Sequence, residues 1–410
     1  MSEYDVLIVG SGHGGVQAAS VLRQREFGGS VAILTADRDE PYERPPLSKD
    51  YLSGDKDFHS IHLRGPDFWE EKQIALILGR TVATVDPAGH SVTCDNGERF
   101  GYGKLIWAAG GEPRRLTCDG HDLAGLHAIR TRADVDRLRS ELTDAERVVI
   151  IGGGYIGLEA AASLTRMGKH VTVLEALDRL LARVAAPTIS DFFEAQHRAR
   201  GVDIQLGAAV TCIEGANNRV ARVILADGRS LPADVVIVGI GIVPHVAALA
   251  AAGADAPNGV AVDEFCRTSL PDIYAVGDCA LHRNVFGPER QVRVESVQNA
   301  VDQASVAARH ILGDPIAYAA TPWFWSNQFD IKLQTIGLNT DYDATVLRGE
   351  PSGGRFSVVY LRDGAVAALD CVNMVKDYVQ GRVLVERRAN VDPASLCDPA
   401  IPLKSLALQE

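Results

Sequence analysis

The chain reads as an α/β protein with two Rossmann-like dinucleotide-binding units and an α+β tail, and three observations predict this. The apolar run Val6-Leu7-Ile8-Val9 leads into Gly10-Ser11-Gly12-His13-Gly14-Gly15. Val148-Val149-Ile150-Ile151 leads in the same way into Gly152-Gly153-Gly154-Tyr155-Ile156-Gly157. Each reads strand, tight glycine turn, helix, so that a pyrophosphate could approach the backbone and rest on a helix N-terminus, where free N–H groups and the helix dipole favour an anion. The third observation is a change of character after Pro322, where aromatics cluster at Trp323-Phe324-Trp325.

The elements follow in order. Residues 4–9 form the first strand and 14–26 its helix. Residues 31–35 form a short buried strand. In the loop Pro41-Tyr42-Glu43-Arg44-Pro45-Pro46-Leu47-Ser48-Lys49, tandem prolines fix the backbone and predict order. Asp95-Asn96-Gly97 predicts a hairpin, and residues 105–111 a strand running into glycines. The second unit opens near Arg147, with its own second strand over 171–175 and a hairpin at Asp227-Gly228. A buried strand over 235–238 ends in Gly239-Ile240-Gly241. Residues 272–278 read strand, glycine, aspartate, and 297–311 a helix. In the tail, strands at 357–360 and 365–369 flank Asp363-Gly364.

A length of 410 residues allows two or three domains. No apolar run is long enough to cross a bilayer, so no membrane association is expected. The start, Met1-Ser2-Glu3 and then a strand, lacks a basic region and a cleavable apolar segment, so a cytoplasmic location is expected. A net charge of −12 argues against general nucleic-acid binding. The seven cysteines are dispersed, without C-x-x-C or a metal-like cluster, which predicts reduced, buried thiols and no metal site.

One glycine fingerprint is weak, because glycine turns are common. Two suggest two dinucleotides held face to face, so that one can reduce the other. An acid about 20 residues after such a fingerprint ordinarily binds a ribose 2′-hydroxyl. Glu175 fits in the second unit, and with Ala176 and Leu177 beside it no cation is at hand for a 2′-phosphate, which favours NADH over NADPH. In the first unit the equivalent position is expected at Ala36. There either Asp37, one residue on, reaches back, or backbone and water hold the ribose.

Gly277-Asp278 after a buried strand is a flavin-fold mark, its aspartate expected on the ribityl chain. Five motifs now carry a resemblance over essentially the whole chain. They are Arg44-Pro45-Pro46-Leu47-Ser48-Lys49; Gly152 to Gly157 with Leu158-Glu159; Ala275-Val276-Gly277-Asp278-Cys279-Ala280; Val294-Glu295-Ser296-Val297-Gln298-Asn299-Ala300; and Pro322-Trp323-Phe324-Trp325-Ser326. The chain resembles the two-dinucleotide flavoprotein reductases in their glutathione-reductase-like arrangement. More narrowly, it resembles the NADH-dependent ferredoxin reductases of the putidaredoxin reductase group, which serve P450s and ring-hydroxylating oxygenases.

The resemblance implies a discontinuous FAD domain (1–112 and 242–320), an NAD domain (113–241) and a C-terminal domain (321–410). At FAD it places Gly10, Gly12, Gly14, Gly15, Ala36, Asp37, Arg44, Pro45, Lys49, Val82, Ala109, Gly110, Arg130, Gly277, Asp278, Glu295, Ser296, Val297 and Trp325. Along NADH it places Gly152, Gly154, Tyr155, Ile156, Gly157, Glu159, Glu175 and Gly241. The family's Ala-Thr-Gly strand motif reads Ala108-Ala109-Gly110 here, a lost hydroxyl that should cost little. Lys49 and Glu159 are expected as a charged pair near flavin N5 and the nicotinamide, with Trp325 at the flavin edge.

Many relatives of this fold reduce disulfides through a redox cysteine near residue 40, and residues 39–49 here contain none. A thiolate relay cannot operate there. The expected reaction is hydride transfer from NADH to flavin, then single-electron delivery to a [2Fe–2S] ferredoxin that feeds a P450 or oxygenase. Such ferredoxins are acidic, and so is this chain, so docking needs a local basic patch. The candidates are Arg64, Arg382, Arg387, Arg388 and Lys404 with Trp325, on an expected monomer. The rivals are a reductase for a small acceptor, such as a quinone or ascorbate radical, and a flavin interaction protein like apoptosis-inducing factor.

Overall fold

The apolar run before the first fingerprint is buried on both faces, as a central parallel strand must be. In the computed structural model, which describes residues 2–406, Ser2–Val9 lies between Val31–Leu34 and Arg99–Trp107, parallel to both. Ile74–Ile77, Ile273–Ala275 and the antiparallel strands Val82–Asp86 and Ser91–Cys94 complete a seven-stranded sheet. The helices His13–Gln24 and Val297–Ile311 share one apolar cluster with one face of this sheet, through Val16, Leu22, Ala304 and Ala308. These elements belong to a compact unit of Met1–Arg44, Phe58–Glu112 and Val243–Trp323.

A second unit comprises Pro45–Asp57, Pro113–Ile242 and Phe324–Glu410. Its parallel sheet runs Asp203–Gln205, His170–Leu174, Arg147–Ile151, Val235–Val238, Leu126–His127. A three-stranded antiparallel sheet covers Val210–Ala216, Arg219–Leu225 and Ser230–Pro232. The tail forms its own sheet in the order Trp323–Gln328, Ile331–Gly337, Ala365–Val372, Arg355–Arg362, Ala344–Glu350, with the helix Val375–Arg387 against it. Arg348, 2% exposed, pairs with Asp377 at 3.0 Å and donates to the carbonyls of Leu396, Asp398, Pro399 and Ile401. One planar guanidinium thus ties the closing segment to the tail sheet, a task a lysine's compact ammonium could not do. The tail, expected as a separate module, is compact together with residues 113–242 and with the short segment 45–57.

All three hairpins form at the expected turns, with Gly97, Gly228 and Gly364 at positive φ. The helix over 297–311 has the expected ends. Two expectations need correction. The strand expected over 105–111 stops at Trp107, and Gly110, at φ +63°, leaves the extended conformation. The cysteines are not uniformly buried. Cys94, Cys266, Cys279 and Cys371 are, Cys118 and Cys212 are half-buried, and Cys397 is exposed on a short terminal helix. Among the described residues no helix is long and apolar enough to cross a membrane.

Candidate functional site

The two glycine turns superimpose in their logic. Gly10 has φ +107°, and a Cβ on it would stand 2.3 Å from the Ala108 carbonyl oxygen; one on Gly15 would stand 1.9 Å from the Gly10 carbonyl oxygen. In the second turn Gly152, at φ +114°, would meet the Gly239 oxygen at 2.4 Å, and Gly157 the Gly152 oxygen at 2.2 Å. The protein's own packing therefore demands the outer glycines. The middle ones differ: a Cβ on Gly12 or Gly154 meets nothing within 4 Å. Space is kept free there for something other than protein.

The helices that begin at these turns, His13–Gln24 and Tyr155–Arg166, have no side-chain cap and no acid in the first turn. Among the described residues other helices are capped, through Thr131 with Asp134, through Ser296 and through Asp392, while Pro187–Ala199 and Val375–Arg387 also lack a side-chain cap. Open glycines beside uncapped N–H groups fit a dinucleotide pyrophosphate in both turns.

The acids behind the turns are arranged differently. Glu175 accepts from the backbone N–H of Gly153 at 2.8 Å and of Leu177 at 2.9 Å. Gly10 N–H donates to the Leu34 carbonyl, and Gly152 N–H to that of Leu174, so Thr35 is the counterpart of Glu175. The strand Val31–Leu34 ends one residue earlier than expected, which moves that position from Ala36 to Thr35. The Thr35 hydroxyl accepts from Ser11 at 3.0 Å and from Asp37 N–H at 3.2 Å. Asp37 turns away to accept from Tyr42 at 2.9 Å and from Arg44 at 3.2 Å. His13, at the first helical position, is held down to about 4 by burial and by the charge of Arg44, so it sits neutral where a cation would oppose the helix dipole.

The remaining first-unit candidates lie on neighbouring stretches. Ala109 and Gly110 follow the strand Arg99–Trp107, Gly110 at φ +63°. Val82 is half-buried against the core. Gly277 N–H donates to Gln303. Arg293 links the Asp278 carbonyl (3.0 Å) to Glu295 (2.6 Å), and Ser296 caps the helix that starts at Val297. In the second unit, Arg130 precedes the capped helix Arg132–Leu142, and Gly241, at φ +97°, accepts from Arg114 N–H.

The second unit also holds the sharpest polar cluster. Pro45 and Pro46 open the 3₁₀ turn Pro45–Ser48, which delivers Ser48 and Lys49 to the helix Tyr155–Arg166. Lys49 Nζ stands 2.5 Å from Glu159 Oε2, and the Ser48 hydroxyl donates to the same oxygen at 2.6 Å. Ser326 donates to Oε1 at 2.7 Å. The Glu159 side chain is only 3% exposed, and all its partners are donors, an array that suits a carboxylate anion. Tyr155 packs on Phe324 with ring centroids 4.7 Å apart, and its hydroxyl is held above the ordinary phenol range by burial and then by Asp370 and Glu159. Ile156 is 46% exposed beside it, and Trp325 is half-buried.

Of the docking candidates, Arg64 donates to the Leu63 carbonyl and Ser20 and lies over Phe68. Arg382 pairs with Glu386 at 2.7 Å, the one acid in that basic stretch. Arg387 and Arg388 close the same helix, and Lys404 is exposed on Leu403–Leu406. Sequence reasoning missed Ser11, Thr35 and Tyr42, and also Ser326, Gln328 and His197. Ser11, Tyr42 and Ser326 had a signal, as members of the first glycine fingerprint, the proline loop and the aromatic motif.

Two cradles in one chain and a buried charged pair define a flavin- and nicotinamide-dependent oxidoreductase. Residues 4–304 match the family described as pyridine nucleotide-disulphide oxidoreductase, and residues 323–407 match the reductase C-terminal family. The chain belongs to the pyridine nucleotide-disulphide oxidoreductase family and is an FAD-dependent oxidoreductase that uses NAD(P)H. It is 57% identical to the 5,5′-dehydrodivanillate O-demethylase ferredoxin reductase subunit of a Sphingobium species, over 99% of each chain. It is 38% identical to the putidaredoxin reductase of Pseudomonas putida, over 98% of this chain and 96% of that one. The crystal structure of a covalent putidaredoxin reductase–putidaredoxin complex matches with a TM-score of 0.96 at 38% identity, covering 100% of both chains.

Proposed function

We propose that this chain takes hydride from NADH and delivers electrons one at a time to a [2Fe–2S] ferredoxin serving a P450 or an oxygenase. The ferredoxin reductase relatives support the acceptor class. The observation that carries the reading is the pair of open glycine cradles without a cysteine in the loop before Lys49. FAD, when bound, supplies the change from a two-electron donor to a one-electron acceptor. The chain's own residues do the rest.

The turn at Gly10–Gly15 receives the FAD pyrophosphate and the turn at Gly152–Gly157 that of NADH. Glu175 accepts from a ribose 2′-hydroxyl and repels a 2′-phosphate. Lys49, held by Glu159, keeps a positive charge where negative charge develops during hydride transfer. Trp325 faces the acceptor, and the FAD domain (1–112, 242–320), NAD domain (113–241) and C-terminal domain (321–410) divide the labour. Arg64, Arg382, Arg387, Arg388 and Lys404 steer the acidic partner to a cytoplasmic monomer.

Anaerobic stopped flow tests the Lys49 role: Lys49→Ala slows flavin reduction by NADH about tenfold, and an unchanged rate removes the role. Ferredoxin reduction falls as salt rises, and a flat response removes the basic patch.

A further inference from the structure

The strand Trp323–Gln328 lays alternate residues along one row. Phe324 meets Tyr155, Ser326 meets Glu159 at 2.7 Å, and Gln328 meets His197 at 2.8 Å. Tyr155 and Glu159 are four residues apart, one above the other on a helix face, so a strand of period two can address both. Ser326, Gln328 and His197 are all 0% exposed.

The hydrogen bonds along this row share one direction. Burial holds His197 down to about 4, so its ring is neutral. Its Nε2 faces Gln328 Oε1, which can only accept, so the ring hydrogen is on Nε2 and Nδ1 has no partner. Gln328 Nε2 donates to Ser326 Oγ at 3.1 Å, which commits the Ser326 hydrogen to Glu159 Oε1. Three donors in series therefore end on the carboxylate oxygen that Lys49 and Ser48 leave free. Such a chain strengthens its last bond by polarisation, and it fixes the carboxylate plane.

We infer that Ser326 and Gln328, anchored by His197, are positioning residues that hold Glu159, and through it Lys49, in the geometry the nicotinamide step requires. This rests on the proposed role of the Lys49–Glu159 pair. It makes the tail sheet part of the reductive half of the reaction as well as of any contact with an acceptor.

Rapid reduction of the holoenzyme by NADH provides the first test. Ser326→Ala and Gln328→Leu each lower the limiting rate about tenfold, while the NADH concentration at half-maximal rate moves by less than about twofold. Ser326→Thr, which keeps the hydroxyl, restores the rate. If Glu159→Gln is slow and Ser326→Ala is not, the positioning role falls and the pair's role stands. If neither is slow, the reading of the pair falls and this inference with it. A readout independent of turnover is the nitrogen spectrum of histidine-labelled protein, which should show His197 with its hydrogen on Nε2. A wild-type ring with its hydrogen on Nδ1, or a ring unmoved by Gln328→Leu, overturns the chain.

Discussion

The cradles at 10–15 and 152–157 share a turn and differ in what surrounds it. In the first, a Cβ on Gly14 would stand 3.3 Å from the Ala300 oxygen, so the helix Val297–Ile311 closes that side. In the second the equivalent residue is Ile156, 46% exposed, with Leu177 at 39% and Val184 at 40% nearby in the chain. Behind the first turn two hydroxyls face each other, Ser11 and Thr35; behind the second a carboxylate grips the turn backbone. On the proposed function the first cradle retains a resident group and the second exchanges a carrier, and the difference in neighbouring packing fits that division.

The largest expected effect separates retention from exchange. A Cβ at Gly12 or Gly154 meets no protein atom within 4 Å, so substitution should spare the fold and strike only the ligand. Gly12→Val yields folded but colourless protein. Gly154→Val keeps the flavin absorbance and slows its reduction by NADH about a hundredfold. If both variants keep their colour and their rate, the comparison breaks.

A middle-sized effect sharpens it. Glu175→Ala weakens NADH binding about tenfold and narrows the preference over NADPH, because it removes a hydroxyl acceptor and unties Gly153. Thr35→Val, the matching change in the first cradle, costs about 1 kcal/mol of stability with the colour retained. Equilibrium binding and denaturant unfolding measure the two, and a Thr35→Val that loses flavin would make the cradles more alike than proposed.

The smallest effect concerns His13. Its folded value of about 4 lies below the 6.5 of a free histidine. The neutral ring therefore contributes stability that is fully present above about pH 6.5 and is lost as pH falls through about 4. Between pH 7 and pH 4 the unfolding midpoint of the wild type should drop about 2 °C further than that of His13→Asn. Equal drops would show that His13 is not held neutral.

Local signals were legible in the sequence. The glycine turns, the three hairpins and the helix Val297–Ile311 depend on residues adjacent in the chain, and periodicity or turn chemistry reports them. The pairing of Lys49 with Glu159 came through the family motifs, not through spacing. Illegible were relations that only tertiary register creates. The shift from Ala36 to Thr35 depends on where Val31–Leu34 stops pairing with its neighbours. The Ser326–Gln328–His197 row depends on a strand meeting helices more than a hundred residues earlier in the chain. The grouping of residues 45–57 with the second unit had no compositional mark at all.

Each unit draws on three separate stretches of chain. Synthesis runs from one end, so the helix His13–Gln24 is made long before Val297–Ile311, whose Ala304, Ala307 and Ala308 share its apolar cluster. Until that late helix leaves the ribosome, Val16, Ala19 and Leu22 pack only with the sheet side of their cluster, through Val6, Ile8, Val31 and Ile33, and nascent chains stalled before it should be sticky and open to chaperones. The stretch of translation that matters for yield therefore lies near codon 300, far from the glycines that define the fold.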